Sequence, residues 1–129
     1  MSEGIDINME LKVAVKDPSN SQGWTWVTIR EAKVKRYYIR DIGKGSALVI
    51  SYEFEDGSGG IGSGGIVIDL SKVTSVSKHS TGILIEVPVV SIILKEKGAL
   101  KKLNGLKCQL VLHGNIATEI GRSIGIKIT

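Results

Sequence analysis

Apolar and polar positions alternate without a break at the start of the chain. Ile5, Ile7, Met9, Leu11, Val13 and Val15 fall on one phase; Asp6, Asn8, Glu10, Lys12, Ala14 and Lys16 fall on the other. A period of two predicts a half-buried strand over residues 5–15, with a polar outer face. Asp17-Pro18-Ser19-Asn20 then predicts a turn. The next strand covers 24–29, rich in aromatic and β-branched residues. Leu48, Ile50, Tyr52 and Phe54 share one face of another. Further strands are expected at 65–70, 83–87, 89–94 and 106–112, with Pro88 interrupting the pairing or marking an edge.

Residues 30–40 satisfy two patterns. Thr28-Ile29-Arg30-Glu31 spells a helix capping box, and good helix formers follow. Val34 to Ile39 also reads as a strand, and that reading is preferred because Gly43-Lys44-Gly45 then forms a hairpin turn into Ala47. The period changes at the C-terminus. Ile116, Ile120 and Ile124 recur every four residues after Asn115, an expected N-cap, and Gly121 weakens that helix. A short helical turn is expected at 99–103. These elements predict a mostly β chain: a small antiparallel barrel or sandwich of about seven strands with one C-terminal α-helix, in one domain over 1–129.

Residues 56–66, DGSGGIGSGGI, contain G-x-G-x-x-G at Gly60-Ile61-Gly62-Ser63-Gly64-Gly65. A dinucleotide fingerprint needs a helix opening directly after the glycines, to offer amide donors to a pyrophosphate. Here Ile66-Val67-Ile68-Asp69-Leu70 follows, an alternating strand pattern, and Glu53, Glu55 and Asp56 on the flank repel phosphate. Gly43-Lys44-Gly45-Ser46 lacks the earlier glycine of a P-loop. The stretch is therefore read as a flexible loop over 56–65, ordered only when a partner arrives.

Composition narrows the chemistry. One cysteine in 129 residues allows no internal disulfide and suits a reducing, cytoplasmic setting. The acidic start MSEGIDINMELK shows no signal-peptide pattern, and the apolar-leaning run 87–94 is too short to span a bilayer. Abundant isoleucine with little Asn or Gln hints at a thermophile. Cys108 and His113 lie five apart on a strand and so face opposite ways, with Cys108 among leucines; His79 falls in an expected turn, 78–82. Asp69 and Glu86 sit on polar phases, no serine lies in G-x-S-x-G, and two histidines and one cysteine lack zinc-ligand spacing. No catalytic residue, metal or cofactor is expected.

The net charge of +4 is uneven. Residues 61–129 carry nine Lys/Arg against four Asp/Glu, a net +5, and residues 1–60 carry −1. Two basic clusters result. In the first, Arg36, Tyr38 and Arg40 share one face if the segment is a strand, with Arg30, Lys33 and Lys35 nearby; basic and aromatic residues together can bind nucleic acid. In the second, Lys95, Lys97, Lys101, Lys102 and Lys107 surround Leu100 and Leu103, which suits a loop lying on an anionic membrane or an acidic partner.

Three segments together, VKRYYIRDIGKGSALVISY, GIVIDLSKVTSVSKHSTGILIEV and CQLVLHGNIATEIGRSI, resemble the strand order of pleckstrin-homology and GRAM domains from residue 32 onward. The resemblance implies a small barrel plugged by a C-terminal helix, and a docking role toward lipids, peptides or proteins; a plain β-sandwich is the other architecture. Strand 5–15 lies outside the resembling region. The expected function is a non-catalytic interaction module for a protein or an anionic surface, with the 95–107 lysines as the contact. Nucleic-acid binding through Arg36, Tyr38 and Arg40 is the first alternative. The second is a homo-oligomeric structural subunit that pairs through strand 5–15 as an exposed edge.

Overall fold

The computed structural model describes residues 8–55, 59–79, 82–88 and 90–123. Eight strands run in the order β1 (Met9–Lys16), β2 (Trp24–Asp41), β3 (Ser46–Glu55), β4 (Ile61–Asp69), β5 (Ser75–His79), β6 (Gly82–Val87), β7 (Val90–Glu96) and β8 (Ala99–His113). A 3-10 turn (Leu70–Lys72) joins β4 to β5, and α1 (Gly114–Ser123) follows β8. All pairings are antiparallel. They close a ring β1–β2–β3–β4–β7–β8 and back to β1, with the β5–β6 hairpin extending from β8.

Two long strands turn the corners. The first half of β2 pairs with β1 and its second half with β3. The switch falls at Glu31, whose φ of 57° sits at a shift of register. A bulge of this kind bends and twists a strand, so the residues that spell a capping box are the corner of a strand. β8 pairs with β7 at its start and with β1 and β6 at its end. The ring thus has two five-stranded walls. The β1 sheet is β2 (first half), β1, β8 (second half), β6 and β5. The β3 sheet is β2 (second half), β3, β4, β7 and β8 (first half).

The alternation of the sequence fills the space between them. Met9, Leu11, Val13, Leu48, Ile50, Ile66, Ile68, Ile83, Ile85, Ile92, Cys108, Leu110 and Leu112 are buried, and Ile116, Ala117 and Ile120 of α1 join the same cluster. Burying side chains of this size contributes roughly 1.5–3 kcal/mol each before entropy is counted. No polar or charged residue is among the buried ones described.

Several expectations are corrected. Residues 99–103 form the start of β8, not a helical turn. Lys97 and Gly98 both have positive φ, 52° and 80°, and fold the chain back in a two-residue turn of the kind hairpins favour. The 95–107 segment is accordingly a hairpin rather than a loop, and β8 begins seven residues before the expected strand at 106. Residues 61–65 belong to β4 rather than to a loop; the 56–58 part of that expectation lies outside the described residues. Pro88 interrupts the strand as expected, β6 ending at Val87 and β7 starting at Val90, while both keep one register along β8, since Val87 faces Cys108 and Val90 faces Gly105. His79 lies in β5, not in a turn. Asn115 is inside α1, which starts at Gly114; Ile124 lies outside the described residues. β1 is flanked by β2 and β8, so its residues 9–15 present no free pairing edge for a second copy, and residues 5–7 lie outside the described part.

The glycine run has a packing role. Gly62 and Gly64 take the inward phase of β4, opposite Phe54 and Tyr52. A Cβ at Gly62 would strike the Phe54 ring, and one at Gly64 would strike the Tyr52 ring and the Ile93 carbonyl. Here the backbone itself is the surface on which two aromatic rings lie. Tyr52 then donates its hydroxyl to the Ile93 carbonyl at 3.3 Å, and burial pushes its phenol well above the ordinary value.

Candidate functional site

The outer face of the β3 sheet collects residues from both basic clusters. Register fixes its rows. Arg36, Ser51, Gly65, Ile93 and Lys102 stand side by side across five strands, and so do Tyr38, Val49, Val67, Ser91 and Asn104. Lys33, Glu53, Ser63, Lys95 and Leu100 form a third row. Neighbouring strands are about 4.8 Å apart, so Arg36 and Lys102 frame a face about 19 Å wide. Arg36, Tyr38 and Arg40 are all exposed on one edge, as the strand reading of that segment requires; Lys95 and Lys102 are exposed on the other.

Between those edges lie small side chains and uncovered aliphatics. Val67 is 43% exposed, Ile93 42% and Leu100 63%. Two acids on this face are already engaged. Glu53 pairs with Lys35 at 3.4 Å. Asp69 accepts hydrogen bonds from the Ser71 hydroxyl at 2.6 Å and the Ser71 N–H at 3.0 Å, which hold its carboxyl below the usual range. Glu55, exposed on the same phase at the end of β3, is a third acid, so the basic edges set the field across the middle of the face but not at that end.

The five lysines of the second cluster do not share one face. Lys97 occupies the hairpin tip. Lys101 stands opposite inward-facing Leu94, on the other phase of β8 from Lys102. Lys107 pairs with Ala14 and so belongs to the β1 sheet. Alternation along a strand separates neighbours in sequence and brings Lys95 and Lys102 together.

The remaining candidates fall elsewhere. Cys108 is fully buried, and burial pushes its thiol up to about 12. His113 sits on the opposite face of β8, its Nε2 3.1 Å from Glu10 Oε2 and its ring 6.3 Å from that of His79. Glu86 lies on the outer phase of β6, 3.5 Å from the Gln109 amide nitrogen. No group of three or more His, Cys, Asp or Glu is placed to hold a metal ion among the described residues. No helix among them is long and apolar enough to cross a membrane.

One feature went unread in the sequence. Trp24 and Trp26 lie on the outer face of the β1 sheet in edge-to-face contact, ring centroids 5.2 Å apart, with the Lys12 ammonium 4.4 Å from the Trp26 ring centroid. The signal was present: both share the phase of Thr28 and Arg30, opposite to buried Ile29.

Comparison of the chain with protein-family models, curated proteins and solved structures finds no match.

Proposed function

We propose that the protein is a non-catalytic interaction module that docks an anionic surface, an acidic protein face or an anionic membrane, on the outer face of its β3 sheet. One observation carries the reading: strand pairing places Arg36 and Arg40 and, more than fifty residues later, Lys95 and Lys102 on opposite edges of one face around exposed Val67 and Ile93. Basic edges attract the partner over about a Debye length, and the aliphatic middle adds apolar contact once it arrives. The pleckstrin-homology resemblance supports a docking role of the same kind.

Co-sedimentation with anionic vesicles, with an acidic protein as competitor, tests it. Binding should fall with salt and be lost on Lys95→Glu/Lys102→Glu, and Lys101→Glu should leave it unchanged. Equal loss from Lys101→Glu and Lys102→Glu would reduce the effect to net charge and remove the face from the account.

A further inference from the structure

We propose that the opposite wall, the outer face of the β1 sheet, is a second binding site whose ligand is single-stranded nucleic acid. Both tryptophans of the chain stand there on the first half of β2. Trp26 is 36% exposed, and Trp24 braces it edge-on. An indole held rigidly by a second ring makes a stacking platform for any base, since every base has a π-face.

Cations surround the platform in register. Lys16 is paired with Trp24, and Lys107 stands across Ala14 from Trp26. Ala14, only 6% exposed, is a flat floor between indole and lysine. Two strand spacings, about 10 Å, separate Lys107 from Trp26, so one nucleotide can stack on the ring and set its phosphate at the lysine. Lys12 already lies against the Trp26 ring and is placed to follow a phosphate when a base takes its position. Two acids stand on the same face and both are engaged: Glu10, which lines the groove described next, lies 3.1 Å from His113 Nε2, and Glu86 lies 3.5 Å from the Gln109 amide nitrogen.

A groove of about 480 Å³ continues the site across the sheet, from Lys12, Thr28 and Arg30 past Gln109 to Leu84 and His79. It offers hydroxyl, amide, guanidinium and imidazole groups to base edges and phosphates. Its four aliphatics all lie in the floor: Leu11 and Ile29 are buried, and Leu84 and Val111 are half-buried. A membrane-docking face needs apolar side chains that protrude, as they do on the β3 sheet; a floor of this kind suits a planar base.

The test is a titration with an oligothymidylate of about 12 nucleotides, followed by tryptophan fluorescence and by anisotropy of the labelled strand. Saturable quenching that weakens with salt is expected. Trp26→Ala should weaken binding about 10-fold or more. Lys16→Glu/Lys107→Glu, two exposed positions that leave the core intact, should weaken it and flatten the salt dependence. Arg36→Glu/Arg40→Glu should change neither, which keeps this site distinct from the face on the β3 sheet. Absence of quenching, binding indifferent to Lys16→Glu/Lys107→Glu, equal affinity for a duplex of the same length, or a tryptophan blue shift with anionic vesicles but none with the oligonucleotide would each overturn the proposal.

Discussion

The two outer walls of the barrel are built from overlapping strands and differ in kind. The β3 sheet presents aliphatic side chains and small residues between basic edges. The β1 sheet presents an indole pair, lysines and a polar groove. β2 and β8 contribute to both walls, so one strand carries Trp26 outward at one end and Tyr38 outward at the other. The difference shows how a corner strand works. Two shifts of register, at Glu31 and between Val34 and Arg36, carry the outward phase of the same strand from one face to another, and one chain gains two chemically distinct surfaces over a shared core.

Breaking one wall is the largest expected effect. Gly64→Val forces a side chain into the Tyr52 ring and the Ile93 carbonyl. Neither can retreat, because one is core and the other backbone, and a loss of about 3 kcal/mol or more is expected in urea unfolding. The β1 sheet holds a contrasting sensitivity in Cys108. Its folded thiol is raised from 9.0 to about 12 by burial, so the folded state holds its proton longer than the unfolded state does. Its contribution is intact below pH 9.0 and is lost progressively as pH rises from there toward about 12. Unfolding followed across that window should show falling stability, and Cys108→Ala should flatten the fall. Thiol labelling near neutral pH should proceed only through unfolding.

The hinge between the walls offers a gain. Glu31 holds a left-handed φ of 57° that glycine adopts without strain. Glu31→Gly is expected to stabilise by up to about 1 kcal/mol, read as a higher denaturation midpoint. Smallest of all is Lys12→Ala. It removes the contact over Trp26 at a cost of about 0.5–1 kcal/mol, and tryptophan emission should shift as the ring is uncovered. A silent spectrum would mean that the lysine does not rest there in solution.

Alternation made the β class, the strand nature of residues 30–40 and the C-terminal helix legible, because each strand or helix face has its own period. It gives a residue's face but not its neighbour across the sheet, so the meeting of Lys95 and Lys102 with Arg36 was hidden. β4 was misread because Gly62 and Gly64 face inward with no apolar side chain; their part becomes visible only with Tyr52 and Phe54 laid over them. The first half of β8 was misread because Lys101, Lys102 and Asn104 weaken its apolar pattern, whereas its pairing with β7 needs only backbone. Trp24 and Trp26 passed as ordinary strand formers, although their place on the polar phase marked them as outward.

The most direct measurement is a charge-reversal cycle on the β3 sheet, read by co-sedimentation with anionic vesicles. Arg36→Glu/Arg40→Glu and Lys95→Glu/Lys102→Glu are made separately and together. If the two edges frame one face, each pair alone should weaken binding about 30-fold or more, at about 1 kcal/mol per cation near the surface, and the combined variant should bring it down to background. Full binding in either pair, with the other carrying the whole effect, would contradict the single face and return the protein to one local basic cluster.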